Sequence, residues 1–264
     1  MNLTKLFKGA SHATNDTIVR DLFLPDAHTP YHDKRALEAL IIEKVVPAFT
    51  WDTCVVLGDW FDCYAVSDYR KSPRREHSLK KELQVGAAIL SRLATVVPWK
   101  RRIFVNGNHE WRLERYLKTN APALYDLVMK GDHFGIKAGG WENVPYMEGT
   151  HLGKINITHD LGYAGDLAVR RSLLRLQDNL VMGHVHTMDY LVRATAMGTP
   201  HVGVCFGWLG GVKHIDYKHL MKARQEWTLG FGIGYRHVRT GITWFVPVPI
   251  VKYQAVVEGR LFKA

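Results

Sequence analysis

Apolar residues in this chain come in short runs, and run after run ends at a cluster of polar side chains. Residues 18–24 form a short apolar and β-branched run that stops at Pro25, which predicts a first strand. Residues 36–48 place Leu37, Leu40, Ile41 and Val45 at helical spacing and close near Pro47, predicting a helix. Residues 53–57 predict a second, buried strand that runs into Gly58. A helix is then predicted over 79–97, a third strand over 102–105, and a helix over 111–118 directly after Gly107-Asn108-His109. The second half continues with a strand over 154–157 before His159, a helix over 166–176, and a strand over 179–182 before Gly183.

Strands alternating with helices predict an α/β architecture, in which sites collect beyond the carboxyl ends of the strands. After Gly183 the pattern turns β-rich, over 190–196, 201–206, 230–238 and 241–249, punctuated by Gly and Pro. A second sheet is expected there, with 251–264 as an edge or tail. There is no low-complexity linker and no internal repeat. One domain over 1–264 is expected, with the site-bearing core at about 17–206 and a β-rich, basic extension at about 207–264.

The polar clusters carry chemistry of one kind. Asp26-Ala27-His28, Gly58-Asp59-Trp60-Phe61-Asp62, Gly107-Asn108-His109-Glu110, Thr158-His159-Asp160 and Gly183-His184-Val185-His186 all follow apolar runs. Together they offer enough oxygen and imidazole ligands for two metal ions, a known solution for attacking phosphate esters with water at neutral pH. Each cluster has an ordinary reading when taken alone. Asp26 suits a turn, Asp59 a helix cap, Asn108 a left-handed turn, and His184 with His186 an exposed pair at a strand end. Five such clusters at the same kind of junction point jointly to a dinuclear centre.

Composition narrows the class. With 264 residues, 47% of them apolar, the chain can bury a sizeable core. Cys54, Cys63 and Cys205 are odd in number and lack paired zinc spacing, so no disulfide framework is expected and a reducing, cytoplasmic setting is. The first 16 residues lack the apolar run of a signal peptide, and no stretch has the length of a membrane span. A net charge of +10 favours anionic partners such as phosphates or nucleic acid.

The ordered set Asp26-x-His28, Gly58-Asp59-x-x-Asp62, Gly107-Asn108-His109-Glu110, His159 and Gly183-His184-x-His186 resembles the calcineurin-like metallophosphoesterase superfamily. The likeness runs from residue 26 to 186. It implies a two-sheet α/β/β/α sandwich flanked by helices. By that resemblance, Asp26, His28, Asp59 and His186 hold one ion, and Asp59, Asn108, His159 and His184 hold the other. Asp59 then bridges ions about 3.5 to 4 Å apart, and a hydroxide between them is the implied nucleophile. The mixed nitrogen and oxygen set suits Mn²⁺ first, with Fe, Zn²⁺ or Ni²⁺ as alternatives, over the all-oxygen preference of Ca²⁺ and Mg²⁺. The resemblance further implies that His109 faces the substrate as a leaving-group acid with a near-neutral pKa, oriented by Asp62.

The superfamily includes phosphomonoesterases, phosphodiesterases, nucleotidases and nucleases, so the substrate has to be read elsewhere. Thr29 and Cys63 stand where the serine/threonine protein phosphatases carry Gly and Arg, which argues against that branch. Asp160 follows His159 where many members have Gly. Arg112 and Arg115 share a helix face after His109 and are expected to bind phosphate. Lys71, Arg74 and Arg75 are either a phosphate track or a solvated loop. Lys213, His214, Lys218, His219, Lys222 and Arg224 lie near Trp208 and Trp227, which either stack on bases or pack in the core. Gly230, Gly232 and Gly234 have no helix after them and do not form a dinucleotide fingerprint. The expected activity is hydrolysis of a phosphodiester, with DNA, RNA or a nucleotide as substrate. A phosphomonoesterase acting on a small molecule or phosphopeptide is the alternative, followed by an inactive metal-binding scaffold.

Overall fold

A computed structural model describes residues 17–69, 71–73, 78–194, 198, 200–215 and 227–264. Arg74, Arg75, Lys218, His219, Lys222 and Arg224 lie outside the described residues, as does the end of the run expected over 190–196. Strands β1 (Ile18–Leu24), β2 (Thr53–Val56), β3 (Arg101–Val105) and β4 (Glu142–Val144) pair in parallel in that order. Their side chains alternate between two apolar environments. Leu22, Leu24, Cys54, Val56 and Phe104 pack on one side, and Phe23, Val55, Ile103 and Val105 on the other. Burial on both faces is why residues 22–24, 54–56 and 103–105 read as short apolar runs.

A second sheet contains β5 (Thr150–Leu152), β6 (Ile155–Ile157), β7 (Leu180–Met182), β8 (Met188–Ala194) and β9 (Pro200–Phe206), in the spatial order β5-β6-β7-β9-β8. Ile157, Val181, Val204 and Phe206 meet the first sheet. At the centre of that interface Phe23 lies 5.3 Å from Phe206 and 5.9 Å from Phe245, ring to ring. Burial of an aromatic ring of this size contributes about 1.5 to 3 kcal/mol.

The outer face of the first sheet is covered by a π-helix (Arg35–Val45), α1 (Leu79–Thr95) and α2 (Asn108–Asn120), through Leu37, Leu40, Ile41, Leu90, Leu93 and Leu113. A short α3 (Tyr125–Met129) follows α2. On the far side, α4 (Ala168–Leu176) covers Leu180, Met182 and Cys205 of the second sheet through Ala168, Val169 and Leu173. The result is a four-layer α/β/β/α sandwich of two sheets flanked by helices.

The sequence pattern mislocates three features. The helix expected over 36–48 has wider turns than anticipated: Val46 N–H bonds to Ile41 O, and a 3₁₀ turn follows over Val46–Ala48. The helix expected from 111 begins at Asn108, because Glu110 in its first turn reaches back to the Gly107 N–H at 2.7 Å and caps it. The β-rich stretch beyond 207 is not an extension. Here β10 (Gly230–His237) pairs antiparallel with β1, and β11 (Thr243–Pro249) pairs with β10, so both complete the first sheet. Only β12 (Gln254–Val257) and β13 (Arg260–Lys263) form a separate hairpin.

Candidate metal centre

Register brings the polar clusters together. Leu24 lies opposite Val56, and Val56 opposite Phe104, so the loops after β1, β2 and β3 leave the sheet side by side. In the second sheet Ile157 lies opposite Val181, which sets His159 beside the loop carrying His184 and His186. Asp26, His28, Asp59, His184 and His186 all have left-handed backbone, with φ of 30°, 52°, 48°, 74° and 60°. Such conformations cost on the order of 1 to 3 kcal/mol each and collect where geometry serves function. Two glycines admit the approach. A Cβ on Gly107 would overlap Asp59 Oδ1, and one on Gly183 would sit 2.9 Å from Asp26 Oδ2.

Each ligand candidate is held by a second group. Asp26 Oδ1 accepts from the His184 N–H at 2.9 Å, and Asp59 Oδ1 accepts from the His109 N–H at 2.9 Å. His159 Nδ1 donates to Leu57 O at 2.7 Å, so its Nε2, 3.3 Å from Asp59 Oδ1, is the nitrogen left to coordinate. His28 Nδ1 lies 3.3 Å from Asp62 Oδ1, which leaves its Nε2 to face His186 Nε2 at 3.1 Å. Anchoring one imidazole nitrogen fixes the tautomer in which the other is free to coordinate. Asn108 Oδ1 lies 3.1 Å from His159 Nε2 and 3.0 Å from His184 Nδ1.

Two groups of side chains could each hold an ion: Asp26, His28, Asp59 and His186, and Asp59, His159 and His184, with donor atoms within 4.8 Å of one another. Asp59 belongs to both. Asn108 Oδ1 adds an oxygen to the second group. A pair of divalent ions fits these residues on a further observation: Asp26 Oδ2 is fully buried and accepts no hydrogen bond, an orphan that burial penalises unless a cation meets it. A third group, His28, Asp62 and His109, shares His28 with the first. There Asp62 Oδ1 serves both His28 and, at 3.1 Å, His109, so it orients two imidazoles where the sequence suggested one.

Charge in the ion-free centre is distributed unevenly. Burial pushes Asp26 up to about 7, with nearby Asp59 adding to the shift and His159 opposing it. Burial pushes Asp59 the same way, but His109 and His159 outweigh it and hold the carboxyl well below its usual range. His159 is lowered by burial and raised more strongly by Asp59, reaching about 10. His109 departs from the near-neutral expectation: burial takes it down to about 4, Asp59 opposes, and His28 and Arg112 add to the fall.

Sequence reasoning missed the role of Glu110. Its carboxylate accepts from the N–H groups of Asp59 at 3.0 Å, Phe61 at 2.8 Å and Gly107 at 2.7 Å, tying the loop after β2 to the start of α2. A glutamate at the third position of a helix was the available signal. Arg112 reaches the site, donating to Asp62 O at 2.8 Å and to His109 Nε2 at 2.7 Å. Arg115 does not: it pairs with Asp68 and lies over Trp111. Lys71 is likewise committed, to Ser67 and the Tyr64 carbonyl, rather than to a phosphate track. Trp208 is buried and stacks on His186 at 5.2 Å, and half-buried Trp227 stands edge-on to the same ring at 4.4 Å. Lys213 and His214 are exposed nearby in the chain. Asp160 is buried, its Oδ1 accepting from the Gly162 N–H at 2.7 Å.

The sequence matches no protein-family model, and no curated protein matches it. Among solved structures, the chain is similar to a metallophosphoesterase from Sphaerobacter thermophilus, with 15% identity, a TM-score of 0.45, and 86% of this chain and 87% of that one covered. It is also similar to the hypothetical protein PH1004 from Pyrococcus horikoshii OT3, at 11% identity and TM-score 0.42, covering 87% of each chain. A third likeness is to the NAD nucleotidase NadN of Haemophilus influenzae, at 10% identity and TM-score 0.41, covering 94% of this chain and 54% of that one. Similarity at this level says nothing of substrate. No helix among the described residues is long and apolar enough to cross a membrane.

Proposed function

We propose that the chain is a phosphoester hydrolase dependent on two divalent ions, Mn²⁺ first, and that its substrate is a phosphodiester in nucleic acid or a nucleotide. One observation carries the reading: Asp59 is shared by two ligand groups at the carboxyl ends of neighbouring strands, the arrangement a paired-ion centre requires. When bound, the ions supply positive charge for the phosphoryl oxygens and an activated water. Asp26, His28, Asp59 and His186 would hold one, and Asp59, Asn108, His159 and His184 the other. Asp62 and the Leu57 carbonyl keep His28 and His159 in the coordinating tautomer, and Glu110 holds the Asp59 loop against α2. Arg112 brings a fixed positive charge to the same place.

The polymeric or nucleotide substrate is supported by the net charge of +10 and by the half-buried Trp227 ring beside His186, since an aromatic face beside basic surface suits a stacked base, whereas Trp208 is buried against the His186 ring. Three free, buried cysteines accord with a reducing compartment, and we place the protein in the cytoplasm. The test is Mn²⁺-supported hydrolysis of bis-p-nitrophenyl phosphate and p-nitrophenyl phosphate side by side, with Asp59→Asn as the blank. Faster turnover of the diester, lost in the variant, is expected. Preference for the monoester points to a phosphatase, and tight metal binding without turnover of either ester points to a scaffold.

A further inference from the structure

The two main sheets end on four edge strands, and three of them are guarded against pairing with another chain. β4 and β5 are three residues long, and β11 carries Pro247 and Pro249, which have no N–H to offer a neighbour. β8 has no such guard. It pairs with β9 along its whole length, from Met188 opposite Phe206 to Ala194 opposite Pro200, and no described strand lies on its other side. It contains neither proline nor glycine. Tyr190 and Val192, on the face it shares with Val204 and Val202, are 43% and 56% exposed. A row of unmet backbone groups beside exposed apolar side chains is a template for a further strand.

The strand is complementary to itself. Leu191 is its central residue, so an antiparallel pair about a two-fold axis through Leu191 sets Asp189 opposite Arg193 of a second copy, Tyr190 opposite its Val192, and Met188 opposite its Ala194. Opposite charges, and an aromatic ring facing a β-branched side chain, are favourable cross-strand pairs. Asp189 is half-buried and Arg193 exposed, and neither forms an ion pair among the described residues. The match is specific to this register. An axis through Tyr190 or Val192 would set both charges against uncharged residues, and one through Asp189 or Arg193 would set like charges together. On the face toward α4, Leu191 packs beside the cluster of Ala168, Val169 and Leu173, so two copies of Leu191 meeting on the axis would carry that apolar cluster across the joint. With one charge of each sign, β8 is locally neutral in a chain of net charge +10, and this edge adds no repulsion of its own.

We propose that β8 is the interface of a homodimer, in which it pairs antiparallel with β8 of a second copy about Leu191 and joins the two five-stranded sheets edge to edge. The contact is isologous and closed, so it consumes the free edge instead of propagating. His186 lies two residues before β8, and the antiparallel pair therefore carries the two candidate metal centres to opposite ends of the joint. The dimer goes beyond the phosphoester reading and does not depend on it.

Sedimentation velocity on the full-length, metal-free protein tests this without any turnover. Wild type should dimerise with a Kd on the order of 10 μM, as suits a small interface. Asp189→Arg and Arg193→Asp should each weaken association about 30-fold, because like charges then face each other across the axis. Mixed in equal amounts, the two variants should dimerise again, since each copy then meets the opposite charge at both positions. Val192→Lys changes a side chain that is exposed in the single copy and should weaken association about 10-fold, which shows the effect where the charge variants fold poorly. Thermal melts followed by circular dichroism identify the variants that fold. Wild type that stays monomeric at about 10 times that Kd, a dimer undisturbed by Val192→Lys, or folded charge variants whose mixture stays monomeric overturns the proposal. A monomer that instead takes up an extended peptide from another protein overturns it as well, and makes β8 an edge for a foreign strand.

Discussion

Asp59 collects contacts that no single stretch of sequence announces. It accepts the His109 N–H, faces His159 Nε2, and donates its own N–H to Glu110. That Asp26, His28, Asp59, His159, His184 and His186 would cluster was legible, because Gly-Asp and Gly-His-x-His place donors after tight backbone turns, and Gly107 and Gly183 are explained by overlap with Asp59 and Asp26. The double service of Asp62, the contact of Arg112 with His109 and the commitment of Arg115 to Asp68 were not legible. They depend on which side chains of distant segments meet, and helical spacing cannot supply that. Removing Glu110 should show how much holds the Asp59 loop in place: Glu110→Ala leaves three buried N–H groups unmet and should lower stability by about 3 kcal/mol in a urea melt. A midpoint unchanged from wild type would show that the loop does not depend on it.

The His159–Asp59 pair also makes metal uptake depend on pH. His159 is raised from 6.5 to about 10. A folded value above the unfolded one means that the stability from this pair is complete below pH 6.5 and is lost as pH rises through 10. An ion competes for the same lone pair, so binding at pH 7 must expel the proton, and affinity should climb with pH across that window. Calorimetric titration of Mn²⁺ in two buffers of different ionisation heat should register proton release that shrinks in His159→Gln. Equal heats in both buffers would contradict the pairing.

At the scale of elements, β1, β2, β3, β6 and β7 were visible because their buried residues form short apolar runs that end at the polar clusters. The strands β4 and β5 were missed because each buries a single side chain, Val144 and Leu152, and so shows no apolar run. The destination of β10 and β11 was misread for a different reason. Alternation identifies a strand but not its neighbour, and β10 pairs with β1 across more than 200 residues of chain, Ile18 opposite His237. Its Gly232 and Gly234 lie against Phe206 and Phe23, giving those rings room. Deleting residues 230–264 should therefore unfold the protein, with loss of near-ultraviolet circular dichroism and of the cooperative melt. A truncated chain that melts like the full one would restore the view of this segment as an appendage.

Across the whole molecule, the two sheets meet face to face and bring clusters from both halves of the chain to one end of the sandwich, residues 26, 59 and 108 from the first sheet and 159, 184 and 186 from the second. The fold class was predictable from the alternation of strands and helices. Its closure was not, because the sheet that opens the chain is finished by the segment near its end. Net charge acts at this scale too. With a charge of +10, kcat/KM for an oligonucleotide should fall steeply between about 50 and 200 mM salt as counterion release weakens, while kcat/KM for bis-p-nitrophenyl phosphate should change little. Parallel salt dependence of the two would argue against a polymeric substrate.

The paired-ion centre is tested most directly by anomalous X-ray scattering at the manganese edge, on crystals of the protein grown with Mn²⁺. Two peaks about 3.5 to 4 Å apart, flanking Asp59 between the Asp26–His28–His186 and Asn108–His159–His184 sets, are the expected result. A single peak, or none within reach of the Asp59 carboxylate, would contradict it.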